Sequence, residues 1–192
     1  MAKKLLLTGD VNLMNVADAA EPFRKIVDEL HAADVIFGNM ECCLHLPSSR
    51  HSHANEGFFA DPVVGGETLK FAGIHAVGIA NNVNYGAANI AASIARLDEI
   101  GVRHTGAGPN LAAARAPAIV ERNGLRVGVL QRSSVYWPTD HEAHADSPGI
   151  AVLRGHTAYH VPTGRFSPDV PPPNRPGVPP RSKCVPSLAM AT

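Results

Sequence analysis

Short apolar runs alternate with longer amphipathic segments along the chain up to Leu130. Three runs, at residues 5–7, 35–37 and 76–79, are apolar and are closed by Gly, Asn or Asp, which predicts buried strands. Residues 17–33 and 87–100 instead carry apolar residues at three- and four-residue spacing, which predicts helices. Alternating strands and helices predict right-handed βαβ units, and hence an α/β fold with a mainly parallel sheet and flanking helices.

Weaker patterns fill in the rest of this region. Residues 66–72 are predicted to form a short helix and residues 102–104 a brief strand. Two further strands, at 118–121 and 126–130, are separated by an Asn-Gly pair that is typical of a β-hairpin. The segment 44–61 is polar and is predicted to be a loop.

The alternation fades after Leu130, and nine of the sixteen prolines lie in residues 161–192. Proline without apolar periodicity does not build a packed core. The sequence therefore predicts a domain over residues 1–135, a loop region over 136–160, and a Pro-rich irregular tail over 161–192 without regular secondary structure.

Composition excludes several classes of partner. The 192 residues carry a formal net charge of zero, so nothing predicts a nucleic-acid partner. No apolar stretch is long enough to be a membrane segment.

The three cysteines, Cys42, Cys43 and Cys184, are an odd number and favour a reducing, cytoplasmic location. We interpret Cys42 as a small buried residue rather than a metal ligand or nucleophile.

Three polar residues follow the predicted parallel strands: Asp10, Glu41 and Asn82. Ligands of open parallel sheets bind outside the carboxyl ends of the strands. Two carboxylates and an amide oxygen are hard ligands suited to divalent metal ions such as Mn²⁺ or Mg²⁺. We therefore predict a metal site there. The alternative is that Asp10 and Asn82 are turn or helix-capping residues.

Histidines offer weaker candidates. His45, His51 and His53 lie in the polar segment 44–61 and are interpreted as loop residues rather than metal ligands. His141 and His144 are three residues apart, which differs from the four-residue spacing of zincin enzymes. We interpret them as part of a polar loop as well.

Four segments, in order, resemble the CapA family of poly-γ-glutamate capsule-synthesis proteins. They are Thr-Gly-Asp-Val at residues 8–11, Asn-Met-Glu at 39–41, the segment 78–86 around Ala-Asn-Asn, and the Gly- and Ala-rich segment 100–117. The resemblance covers roughly residues 4–135, and the family is related to the calcineurin-like metallophosphoesterases. It implies a partial metallophosphoesterase-like fold, with Asp10, Glu41 and Asn82 at metal-site positions.

The resemblance also implies a metal-dependent hydrolase that acts on a small-molecule or polymer substrate. Val83 stands where the family has a histidine that acts as a general acid or stabilises an oxyanion. Relatives also carry further His-containing motifs beyond this length. We therefore expect a truncated copy with an incomplete, weak or inactive site, and we assign no catalytic residue. The alternatives are a non-catalytic binding module of the same fold and an unrelated Rossmann-like nucleotide binder.

Overall fold

The computed structural model of the chain describes residues 2–46 and 58–155. It divides the chain into a compact unit, Met1–Leu153, and a second unit, Arg154–Thr192, of which only the first two residues are described. The prediction for the tail, 161–192, therefore lies outside the described residues, as do His51, His53 and Cys184. No helix among the described residues is long and apolar enough to cross a bilayer.

Ten strands and four helices make up the described part of the chain. In chain order they are β1 (Leu5–Val11), α1 (Val27–His31), β2 (Val35–Met40), β3 (Cys43–Leu44), β4 (Phe59–Ala60), α2 (Pro62–Phe71), β5 (Ala76–Gly78), α3 (Ala87–Ile100), β6 (Arg103–Thr105), β7 (Ala107–Gly108), α4 (Leu111–Ala114), β8 (Ala118–Arg122), β9 (Leu125–Val129) and β10 (Gly149–Ile150).

A four-stranded parallel sheet forms the centre, in the order β1-β2-β5-β6. The three apolar runs form β1, β2 and β5, and β2 and β5 are almost completely buried because they lie inside the sheet with packed faces. The prediction that residues 5–7 are buried is wrong, because β1 lies at the edge of the sheet and leaves Leu5 and Leu7 exposed. Three two-stranded sheets, β3-β4, β7-β10 and β8-β9, lie around it. The predicted α/β fold with a mainly parallel sheet is confirmed, and the carboxyl ends of its strands share one edge.

The helix α3 begins and ends where the periodicity predicts. Its buried positions include Ile90 and Leu97, which pack into the main core with Met40 and Leu69. Gly101 ends the helix in the left-handed conformation, with φ of 75°, which glycine adopts without strain. The helix α2 begins earlier than predicted, because Asp61 caps it and Pro62 occupies its first turn.

The predicted helix over residues 17–33 is wrong over most of its length. Only Val27–His31 is α-helical, and the preceding residues form successive turns. Asp18 accepts the main-chain N–H of Ala20 at 3.0 Å, which offers the backbone an alternative to helix. Ile26 remains exposed, so little burial favours a longer helix here.

The predicted hairpin is confirmed as β8 and β9. Its turn residues Asn123 and Gly124 have φ of 50° and 75°, as the two central residues of a type I′ turn require. Short strands also occur where only loops are predicted: β3 and β4 lie within or at the border of segment 44–61, and β10 lies within 136–160. Each has only two residues, which is too short to give a periodic signal.

Cys42 and Cys43 are free thiols with no exposed surface. Cys42 belongs to the main apolar cluster, and the Sγ atom of Cys43 lies 3.4 Å from Oδ1 of Asn84. The interpretation of Cys42 as a small buried residue is therefore confirmed.

Candidate functional site

Asp10, Glu41 and Asn82 lie at the edge of the sheet where its parallel strands end. Asp10 is the penultimate residue of β1, Glu41 directly follows β2, and Asn82 lies four residues beyond β5. Asp10 and Asn82 are exposed, and Glu41 is half-buried. The topology thus brings all three predicted residues to one edge, as parallel strands require.

Asp10 and Glu41 are direct neighbours. The N–H of Glu41 donates to the carbonyl of Val11 at 3.0 Å, which aligns the ends of β1 and β2. Burial raises the pKa of the Glu41 carboxyl, and the charge of Asp10 and a hydrogen bond with it raise that pKa further. Two carboxyl groups therefore share one small polar region.

The turn after β5 is organised by Asn81 rather than by Asn82. The buried Asn81 side chain donates from Nδ2 to the carbonyl of Met40 at 2.9 Å and to Oδ1 of Asn39 at 3.2 Å. Its Oδ1 accepts the N–H groups of Val83 and Asn84 at 3.2 and 3.1 Å. This side chain therefore ties the turn to the end of β2 and holds Asn82 at the surface.

Two residues missed by the sequence reasoning complete the polar network. Asn39, in β2, donates from Nδ2 to Oδ1 of Asp10 at 2.6 Å. Gln131 donates from Nε2 to Oδ1 of Asn39 at 2.7 Å and accepts the N–H of Ala80 at 2.7 Å. Asn39 lies inside the Asn-Met-Glu segment and could have been found there. Gln131 lies beyond β9, and no sequence signal marks it.

The interpretation of His141 as part of a polar loop is wrong, because its side chain is fully buried. Its Nδ1 accepts the N–H of Trp137 at 2.9 Å, so its Nε2 carries the proton and donates to the carbonyl of Asn81 at 3.1 Å. The ring meets that of Tyr85 edge to face, with centroids 5.4 Å apart. Burial lowers the pKa of His141, although hydrogen bonds to main-chain groups of Asn81 and Asn84 oppose this shift.

The segment that follows Gln131 therefore covers the turn after β5. Besides the contacts of Gln131 and His141, the indole Nε1 of Trp137 donates to the carbonyl of Asn82 at 3.0 Å. Val83, where the family resemblance implies a histidine, is buried. Both ring nitrogens of His141 are occupied by main-chain partners, so neither is free to act as a general acid toward a ligand.

The remaining predicted candidates do not join this region. His45 is half-buried and faces Phe59, and His144 is exposed. Within residues 2–46 and 58–155, no three His, Cys, Asp or Glu side chains form a group suited to a metal ion. A cleft of about 660 Å³ lies elsewhere, beside the starts of β5 and β6.

Comparison with known proteins gives two findings. The family described as bacterial capsule synthesis protein PGA_cap matches residues 4–164. Two proteins of Sinorhizobium fredii, named uncharacterized protein y4sH and uncharacterized protein y4uA, are each 31% identical to the chain over 167 residues. The match covers 78% of this chain but 35% of either relative, so the chain spans about a third of their length. The chain belongs to the bacterial capsule synthesis protein family PGA_cap.

Proposed function

We propose that this capsule synthesis protein carries a metal-dependent, phosphoesterase-type site that acts in the synthesis of poly-γ-glutamate. The observation that carries the proposal is the pairing of Asp10 and Glu41 at the carboxyl edge of the parallel sheet, with Asn82 on the adjoining turn. The proposed substrate is a small molecule or a polymer. The cytoplasmic location of the protein stays a prediction from its cysteine content.

The donor set fits a divalent cation such as Mn²⁺ or Mg²⁺. Both carboxylates are hard oxygen ligands, and the amide oxygen of Asn82 is a third on an exposed side chain. The pKa of Glu41 is raised by its own burial and by the charge of Asp10. A cation beside Glu41 would offset both effects and favour the ionised carboxylate. A metal bound there supplies Lewis-acid polarisation of a phosphoryl oxygen.

A non-catalytic binding module of the same fold is the second candidate. Val83, where the resemblance implies a histidine, is buried and carries no ionisable group, and both ring nitrogens of His141 are bonded to main-chain groups, which supports this candidate. A positioned general acid typically contributes ~10²–10⁴-fold in rate. We therefore expect the 192-residue chain to bind divalent metal weakly and to hydrolyse phosphate esters barely or not at all.

The experiment measures Mn²⁺ binding by isothermal titration calorimetry and turnover of p-nitrophenyl phosphate at saturating Mn²⁺. The wild-type chain is compared with Asp10→Ala, which removes one proposed ligand, and with Glu67→Ala, an exposed carboxylate of α2, as the control. Weak binding that only Asp10→Ala abolishes, with turnover near background, is the expected result.

Two other results are informative. Robust turnover that Asp10→Ala abolishes would show that this chain holds a complete site and would exclude the binding module. If the wild-type chain does not bind Mn²⁺ or Mg²⁺ at millimolar concentration, the metal site itself is wrong, and nucleotide binding becomes the next assay.

A further inference from the structure

We infer that Gln131 is a positioning residue, which acts through Asn39 to orient the carboxylate of Asp10 toward a bound cation. Gln131 lies outside the segments of the family resemblance that carry the proposed ligands, in the stretch that follows β9. This inference rests on the proposed function, because Asp10 is one of the proposed ligands.

The polarity of the hydrogen-bond chain is fixed at its far end. The main-chain N–H of Ala80 can only donate, so the Gln131 atom that faces it is Oε1. Nε2 of Gln131 then points to Asn39, which must present Oδ1 in return. The Nδ2 group of Asn39 is thereby left facing Asp10, to which it donates at 2.6 Å.

Asn81 reinforces this orientation, since its Nδ2 also donates to Oδ1 of Asn39. Without these two donors, the Asn39 amide could rotate by half a turn. It would then place its oxygen against the Asp10 carboxylate, which is repulsive. Gln131, together with Asn81, thus fixes which end of the Asn39 amide meets the proposed ligand, and the Asn39 Nδ2 group in turn holds Oδ1 of Asp10.

The space for Gln131 is provided by two glycines. A Cβ atom at Gly78 would overlap the amide of Gln131, whereas one at Gly106 would meet Cβ of Ala80 at 2.7 Å and then Oε1 of Gln131 at 3.1 Å. Gly106 also has φ of 96°, a conformation that other residues rarely adopt. The fold therefore keeps side chains out of the slot that the Gln131 amide fills.

The experiment uses Gln131→Met, which preserves length but removes both hydrogen-bonding groups. A second variant, Gly78→Ala, keeps the glutamine and displaces it with the added methyl group. Both are made in the wild-type chain and in an Asn39→Ala background, and Mn²⁺ dissociation constants are measured for each. Asn110→Ala, which removes the α4 cap at 2.9 Å from Ala113 N, controls for general destabilisation.

Two readouts are followed. The first is Mn²⁺ affinity, which substitutions of residues that orient a metal ligand typically weaken by about 10–100-fold. The second needs no metal: the side-chain NH₂ resonances of Asn39 in NMR spectra, whose hydrogen exchange is slow while the amide is held. We expect Gln131→Met and Gly78→Ala each to weaken Mn²⁺ binding by about tenfold and to accelerate exchange at Asn39. Neither should weaken binding further once Asn39 is alanine.

Unchanged Mn²⁺ affinity in Gln131→Met would overturn the inference, and so would an equal loss in the Asn39→Ala background, because Gln131 would then not act through Asn39. If the wild-type chain does not bind Mn²⁺, the proposed function fails separately. The NMR readout then decides alone: faster exchange at Asn39 in Gln131→Met supports the positioning of Asp10, and unchanged exchange refutes it.

Discussion

Two histidines in different parts of the molecule accept main-chain hydrogen bonds through Nδ1. His75 accepts the N–H of Ile36 at 3.0 Å, and His141 accepts that of Trp137 at 2.9 Å. Burial lowers the pKa of both side chains, and the charge of Arg122 lowers that of His75 further. If Nδ1 were protonated, its N–H would face the main-chain N–H that now donates to it, and the hydrogen bond would be lost. Both histidines are therefore neutral in the folded protein.

This arrangement predicts a loss of stability in mild acid. The folded-state pKa of each histidine lies below its ordinary value of 6.5, so only the unfolded chain takes up protons just below that pH. The full stability is therefore present above about pH 6.5 and is lost as the pH falls toward the folded-state values. Urea midpoints at pH 7.5, 6.5 and 5.5 measure the effect.

The double variant His75→Gln, His141→Gln tests the cause. It should be less stable than the wild type at pH 7.5, yet its urea midpoint should change less between pH 7.5 and 5.5. Asp34, whose pKa is lowered mainly by its hydrogen bond from the Lys4 N–H, titrates below 3.8 and does not contribute in this window. An unchanged pH dependence in the double variant would contradict the assignment.

Helix ends were predictable only where the sequence carries a capping residue and the observed helix begins or ends at that residue. The glycines at 86 and 101 bracket α3, and the predicted and observed bounds agree. Asp61 and Pro62 were an equally readable start signal for α2, which the sequence reasoning overlooked. The prediction failed at residues 17–33. Their apolar residues have helical spacing, but few of these side chains become buried, so tertiary packing does not stabilise a helix there.

The cap of α2 gives a prediction about stability. Oδ1 of Asp61 accepts the N–H groups of Val63 and Val64 at 2.8 and 3.0 Å. Asp61→Ala should lower the free energy of unfolding by about 1 kcal/mol, because two helix N–H groups lose their acceptor. Asp61→Ser, which keeps an oxygen, should recover most of this loss in urea unfolding. If serine is no better than alanine, the cap contributes little.

The candidate site was predictable in part, and the division has a physical reason. Parallel strands bring their carboxyl ends to one edge, so Asp10, Glu41 and Asn82 could be placed together from strand order alone. Gln131 and His141 come from a stretch without periodicity, about fifty to sixty residues beyond the turn that they contact. Such long-range contacts depend on how the chain packs, which local patterns do not report.

The central sheet leaves its outer strands with one unpaired side within the described residues. Within residues 2–46 and 58–155, the strand β1 pairs only with β2, and its Leu5 and Leu7 side chains are 45% and 65% exposed. An exposed apolar edge strand is a template for association with other chains. Leu7→Lys should therefore reduce concentration-dependent light scattering on mild heating, while leaving the fold unchanged.

The matched control for this edge is Val63→Lys, at a 56% exposed apolar residue on the helix α2. The N–H of Val63 is already bonded to Oδ1 of Asp61, so this site has no unpaired strand edge and the charge should have a smaller effect on scattering. Equal protection by both lysines would show that charge alone, rather than the β1 edge, controls association.

The adjacent buried thiols of Cys42 and Cys43 allow the rate of local opening to be measured by thiol labelling. Burial raises the pKa of Cys42 to about 11 and that of Cys43 to about 12, so neither forms much thiolate while the core is closed. A thiol-labelling reagent then reacts at these positions only through transiently open molecules. In a Cys184→Ser background, the labelling rate of the other two cysteines reports how often the region beneath the candidate site opens. Comparing this rate with and without Mn²⁺ would show whether ligand binding slows that opening.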